Sequence, residues 1–170
     1  MQFYKRNLRG ALATTCATAC FFCLPVYAAS SAHADLAPAN GSSVSGTVVV
    51  TSITGGVHLV VNATGLAPGV HGFHVHEVGD CSAADASSAK GHFNPGATAH
   101  GMHAGDLPDL TADSSGVARL SADVAGVELG DGATSIMGRA FVIHADPDDH
   151  KSQPAGNSGK RIACGVIRAG

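Results

Sequence analysis

His74-Val75-His76 sets two imidazoles two residues apart in a β-branched run. On an extended strand, residues i and i+2 face the same side, so both rings share one face while Val75 packs on the other. Two neighbouring imidazoles make a metal bite, although such a pair alone is more often structural. Further along come His92, His100, His103 and Asp106, spaced His-x7-His-x2-His-x2-Asp in a glycine-rich stretch. Three imidazoles and one carboxylate make a complete tetrahedral zinc set with no position left for water, which points to a structural metal. His144 ends another β-branched run. With His74, His76 and a shared His92 it gives four nitrogens, a set suited to copper. An imidazole shared by two metals must be deprotonated at both nitrogens, so His92 would be a proton-labile bridge.

The elements that must hold these groups are short strands. Val44 to Val50 and Val57 to Val61 flank Gly55-Gly56 as a predicted hairpin. Val70 to His76, Leu110 to Ala112, Val117 to Val124, Arg139 to His144 and Ile162 to Ile167 are the further predicted strands. Turns fall at Ala67-Pro68-Gly69 and Asp113-Ser114-Ser115-Gly116. Gly79 to Pro108 and Asp146 to Lys160 have no period and read as two long functional loops. No segment has a helical stripe, and there are no internal repeats. The pattern predicts an all-β antiparallel sandwich or barrel.

Composition narrows the function classes. Charged residues are 14% of the chain, aromatics 5%, and glycines number 22. No apolar run reaches the length of a membrane-spanning helix. Lys5, Arg6 and Arg9 precede an uncharged, mostly apolar stretch from Gly10 to Leu24, which reads as a secretory leader over residues 1–28. Cleavage is expected after Ala28, or as late as Ala34, leaving a single domain over residues 35–170. An uncleaved anchor and a lipid-modified Cys20 are the alternatives. Without the leader, seven basic residues face thirteen acidic ones, a balance of −6. That charge disfavours nucleic acid and anionic membranes as partners. Cys81 and Cys164 are the only cysteines beyond the leader, an even pair expected to form one disulfide in an exported protein. Two free thiols or thiolate ligands are the alternative.

Gly72-Phe73-His74-Val75-His76-Glu77, Gly91-His92-Phe93-Asn94-Pro95, His103-Ala104-Gly105-Asp106-Leu107-Pro108 and Arg161-Ile162-Ala163-Cys164-Gly165-Val166-Ile167 closely resemble copper/zinc superoxide dismutase of the exported bacterial type. The resemblance covers residues 35–170. It implies an eight-stranded Greek-key β-barrel and the dismutation of superoxide to oxygen and hydrogen peroxide. It implies one copper per subunit, held by His74, His76, His92 and His144, and one zinc, held by His92, His100, His103 and Asp106. Copper would be the redox-active metal, and His92 the bridge that gives and takes a proton. Arg161 matches the arginine that attracts the anion, and Cys81–Cys164 the intrasubunit disulfide. Asp148 matches the carboxylate that links a copper histidine (His74) to a zinc histidine (His100), although Asp146 and Asp149 are close rivals in sequence. A periplasmic or otherwise exported monomer or homodimer is implied, with no membrane attachment after cleavage.

The other histidines read as structural. His71 is expected to be buried and bonded to backbone, His58 to sit on a strand surface, His33 to lie near the cleavage site, and His150 to belong to the second loop. Arg139 is expected to brace a loop. Three other functions compete. A copper/zinc buffer without turnover would use the same ligands, but Arg161 argues against it. A copper-only relative would lack the zinc set. A purely structural exported β-domain leaves seven candidate ligands unexplained.

Overall fold

The computed structural model describes Met1 and residues 31–170. Apart from Met1, the predicted leader over residues 1–28 lies outside the described residues. Within them the strands are β1 (Ser31–Pro38), β2 (Ser45–Ile53), β3 (Gly56–Thr64), β4 (Gly69–His71), β5 (Phe73–His76), β6 (Leu110–Ala112), β7 (Ala118–Ala125), β8 (Ala140–His144), β9 (Arg161–Val166) and β10 (Arg168–Ala169). No described helix is long and apolar enough to cross a membrane.

Alternation builds the barrel wall. In β2 and β3, Val48, Val50, Val57, Leu59, Val61 and Ala63 point inward and are fully buried, while Val49, Val60 and Asn62 point outward. The hairpin predicted at Gly55-Gly56 forms, with Ile53 paired to Gly56. Every pairing between these strands is antiparallel, in the order β4-β6-β7-β3-β2-β1-β9-β8-β5, and β10 pairs with β1. The two ends of that order, β4 and β5, are consecutive in the chain on either side of Gly72. The sheet therefore curls until it nearly closes into a barrel. Joining β4 with β5 and β9 with β10 turns the ten segments into the eight runs expected.

Two sequence-level boundaries differ from what forms. The run Val70 to His76 is not one strand: it breaks at Gly72, whose N–H donates to Asp146 O at 2.9 Å and whose carbonyl accepts from His144 N at 2.9 Å. That break lets the first half pair with β6 and the second with β8. The folded unit also starts before residue 35. β1 begins at Ser31 and pairs with β2 from Ser31↔Thr51 to Leu36↔Gly46, burying Ala32, Ala34 and Leu36. An Ala-His-Ala-Asp segment has little strand propensity, so this strand owes its form to its neighbours.

β5 and β8 are buried on both faces. Phe73, Val75, Phe141 and Ile143 fill the barrel interior, with the Phe73 and Phe141 rings stacked at 5.4 Å. His74, His76 and His144 lie on the outer face instead, under cover of the two long loops. Ala140, Val142 and Cys164 share that outer face with Ala39, Ala86 and Ala89 of the first loop and its surroundings. The Cys81–Cys164 disulfide, with Cα atoms 5.7 Å apart, pins the first loop to β9.

That disulfide closes a chain segment of 83 residues. Loop-closure entropy for such a length is worth roughly 4–5 kcal/mol. Replacing Cys81 and Cys164 together by alanine is expected to lower the unfolding free energy of the metal-free protein by about 4 kcal/mol, read from urea unfolding. An unchanged urea midpoint would show that other contacts already restrain the loop.

Candidate metal centre

β5 is the template on which the site assembles. Val75 N–H donates to Gly105 O at 2.9 Å, Phe93 N–H to Val75 O at 2.8 Å, and Gly105 N–H to Phe93 O at 2.8 Å. These bonds dock two loop segments against the strand and set His92 beside His76 and Asp106 beside His74. The approach is close enough to require glycine at 105: a Cβ there would sit 2.3 Å from Val75 O.

Two groups of ligand atoms result. His74, His76, His92 and His144 each offer one atom within 4.8 Å of the others, and so do His92, His100, His103 and Asp106. His92 belongs to both groups. Its Nδ1 lies 2.9 Å from Asp106 Oδ1, and its ring centroid is 3.9 Å from that of His74. Every residue expected from the spacing to hold a metal is therefore in one of two adjoining clusters.

Four of the rings, those of His74, His76, His100 and His144, have the far nitrogen tied down. His74 Nε2 lies 2.7 Å from Asp148 Oδ2, and His100 Nε2 lies 2.8 Å from Asp148 Oδ1. His76 Nδ1 donates to Lys90 O at 2.8 Å, and His144 Nδ1 to Gly159 O at 3.3 Å. Such bonds fix both tautomer and ring direction. The near nitrogens converge. His74 Nδ1, His92 Nε2, His100 Nδ1 and His103 Nδ1 are buried with no hydrogen-bond partner, and His76 Nε2 and His144 Nε2 face each other at 3.4 Å. A buried unpaired polar atom costs about 1–3 kcal/mol, so several turned into these two clusters fit cations. The all-nitrogen group suits copper, and the group with a carboxylate suits zinc.

Electrostatics keep the rings ready to ligate. Burial drives the His74 pKa down to about 3, with neighbouring His92 and His144 adding to it and Asp148 opposing. Burial and then Arg161 hold His76 at about 2. Burial lowers His144 to about 4. For Asp106, burial opposes ionisation, but the hydrogen bonds from His92 and the His103 N–H outweigh it and keep the carboxyl well below its usual range. Burial likewise opposes ionisation of Asp148, and bonds from His100, the His150 N–H and His74 overcome it.

Around this centre, Arg161 projects from β9 and donates from Nη1 to Ala86 O at 2.6 Å and from Nη2 to Lys90 O at 2.5 Å. Lys90 O thus anchors both His76 and Arg161. Sequence reading missed this carbonyl and Gly159 O, because a backbone acceptor leaves no residue-type signal. It also missed Gly156, which has φ +60° and packs so tightly that a Cβ would lie 1.6 Å from Asp148 Oδ1. Asp148, not its neighbours, makes the link between the rings. Asp149 instead accepts from Lys151 N, Ser152 N and Asn157 Nδ2, and the Asp146 carboxylate sits against Gly159.

The remaining histidines lie outside the clusters. His71 is buried, its ring nitrogens 2.9 and 2.8 Å from the carbonyl oxygens of His144 and Ala67. His58 sits on the outer sheet face and His33 on β1. His150 is half-exposed and 3.6 Å from Asp109. Arg139 stacks 3.5 Å over the Phe93 ring and donates to Ser135 O and Glu77 O, a brace as expected.

The family model for copper/zinc superoxide dismutase matches residues 44–167. The chain is 44% identical over 148 residues to "Superoxide dismutase [Cu-Zn] 2" of Aquifex aeolicus, covering 81% of this chain and 86% of that protein. It is 39% identical over 135 residues to "Superoxide dismutase [Cu-Zn]" of Caulobacter vibrioides, covering 72% and 78%. Among solved structures it is similar to a SOD-like protein from Bacillus subtilis, with TM-score 0.73 and 36% identity over 79% of this chain and 96% of that one. It is also similar to the clock protein EA4, with TM-score 0.78 and 35% identity over 86% and 98%.

Gly156→Ala is expected to displace Asp148 and weaken zinc binding about 10- to 100-fold, measured by competition with a chromogenic chelator. The three most strongly depressed histidines, His74, His76 and His144, also fix a pH dependence for the metal-free protein. Below the ordinary pKa of 6.5 the unfolded chain takes up protons that folded His74, His76 and His144 refuse. Stability is therefore full above that pH and falls by up to about 1.4 kcal/mol per unit per histidine as pH drops toward 4. Urea midpoints from pH 8 to pH 4 check this, and a flat profile would contradict it.

Proposed function

The chain belongs to the copper/zinc superoxide dismutase family, and on that premise we propose how its own residues divide the work of dismutating superoxide to oxygen and hydrogen peroxide. The observation that carries the reading is the set of buried ring nitrogens of His74, His92, His100 and His103 that have no hydrogen-bond partner and are turned into the two clusters. His74, His76, His92 and His144 would hold copper, and His92, His100, His103 and Asp106 would hold zinc. When bound, copper supplies one-electron redox chemistry, while zinc has none and serves as structure.

The remaining work falls to side chains. Arg161 attracts the anion and holds it by charge-assisted hydrogen bonding. Its carbonyl bonds to Ala86 and Lys90 fix its guanidinium beside His76. A local cation of this kind can steer a small anion even in a chain of negative net charge. His92 Nε2, buried and without a protein partner, takes up and releases a proton as the reduced oxygen species forms and leaves. Asp148 keeps the His74 and His100 rings oriented throughout. Asp106 holds the other side of the His92 ring.

Export is part of the proposal. The basic Lys5, Arg6 and Arg9 ahead of an uncharged stretch support a secretory leader, and a disulfide favours an oxidising compartment such as the periplasm. Cleavage after Ala28 leaves β1 whole. Cleavage after Ala34 would remove Ala32 and Ala34 from the core, so the earlier site is the one proposed.

Stopped-flow superoxide decay with the copper- and zinc-loaded protein is the direct test, and a rate equal to the metal-free control would overturn the proposal. Arg161→Ala is expected to lower the catalytic rate constant about 10- to 100-fold, the value of a charge-assisted bond, with copper and zinc content unchanged by elemental analysis. Loss of copper instead of rate would show that Arg161 acts on the fold alone.

A further inference from the structure

Away from the metal centre, three side chains on the outer barrel face stand in a relay. β3 and β7 pair continuously from Gly56↔Ala125 to Ala63↔Ala118. In this register His58 faces Asp123, and Ser121, one same-face step along β7, faces Val60. His58 Nδ1–H donates to Asp123 Oδ1 at 2.6 Å. An ionised carboxylate only accepts, so this bond keeps the ring proton on Nδ1 and leaves Nε2 as the acceptor. Ser121 Oγ donates to that Nε2 at 3.2 Å. None of the three belongs to either group of metal-binding side chains.

A hydroxyl on an imidazole base, with the base oriented by a carboxylate, is the arrangement that activates a serine nucleophile. We propose that Ser121, His58 and Asp123 form a second reactive site, which accepts acyl groups from small carboxylic esters and passes them to water. Ser121 Oγ attacks the ester carbonyl while its proton moves to His58 Nε2. The Oγ–C bond forms, the ester C–O bond breaks, and the alcohol leaves with the proton from His58. Water then attacks the acyl-serine by the same route, releasing the carboxylic acid and restoring Ser121.

The surroundings define the substrate class. The side chains of His58 and Asp123 are 37% and 70% exposed, so an ester can reach the relay without a pocket. Val60, opposite Ser121, and Val49, opposite Val60, are outward and exposed, an apolar floor for a short acyl chain. Arg119 and Asn62 are the next outward pair on the same two strands and carry donors for a developing oxyanion. Two paired strands hold the relay more firmly than a loop would. The site has no enclosed oxyanion hole, so its rate rests on base catalysis, which typically contributes 10²- to 10⁴-fold, and the lower end applies here.

The test uses the copper- and zinc-loaded protein and two probes. Diisopropyl fluorophosphate marks an activated serine by forming an Oγ–P bond as fluoride leaves, and peptide mass spectrometry locates the mark. p-Nitrophenyl acetate reports ester hydrolysis. The expected result is phosphorylation at Ser121, slowed at least about tenfold in both His58→Gln and Asp123→Asn, and ester hydrolysis reduced at least about tenfold in Ser121→Ala. All three positions are on the outer face, so melting temperatures close to the parent confirm folding. Label on other residues or none would overturn the proposal. So would ester hydrolysis that persists in Ser121→Ala, as bound metal or lysines would produce, or Ser121 labelling indifferent to His58.

Discussion

The carboxylate of Asp148 joins the two clusters of candidate ligands. Its two oxygens hold one ring from each cluster, His74 at 2.7 Å and His100 at 2.8 Å. Each imidazole has two nitrogens, and holding one aims the other at a cation. The loop that carries Asp148 has no regular structure to hold it, so it is fixed by many short bonds. Asp149 turns the chain there by accepting from Lys151 N and Ser152 N. Gly156 lets the loop close down on Asp148, because any Cβ at that position would occupy the carboxylate's place. One polar link thus ties together the first and second long loops and the two clusters.

The barrel contributes a different kind of precision. β5 has its apolar residues in the core and its histidines outside, and its backbone pairs with Phe93 and Gly105 of the loop that covers it. Core packing therefore fixes His74 and His76 in position, and backbone pairing carries that precision on to His92 and Asp106. The burial that orders the rings also keeps them neutral, since a protonated imidazole there would be poorly solvated. Neutral rings with free lone pairs are the state that binds metal.

In the proposed function Arg161 connects the chemistry with the frame. It rises from the strand that carries Cys164, and the disulfide and its own two carbonyl bonds hold the same loop from neighbouring points. A cation whose donors are partly spent on backbone carbonyls keeps its full charge while losing freedom to move. That combination suits a small anion with few contacts of its own, for which position matters more than the number of bonds.

Much of this was legible in the residues because the relevant patterns are local. Alternation in Val48-Val49-Val50 and His74-Val75-His76 gives the facing of each side chain. The spacing of His92, His100, His103 and Asp106 states a ligand set, and two cysteines outside the leader state a pair. Other features depend on how the chain travels in space. No local signal chose Asp148 over Asp146 and Asp149, since the choice rests on where His74 and His100 lie across the fold. The break at Gly72 exists because the barrel must turn a strand from β6 to β8. Ser31 to Ala34 become a strand only because β2 offers an unpaired edge. Ser121 and Asp123 meet His58 because the Greek-key path brings β7 beside β3, more than sixty residues away in sequence. Residue type and period determine what each segment can do, whereas the backbone pairing of distant segments decides which groups meet.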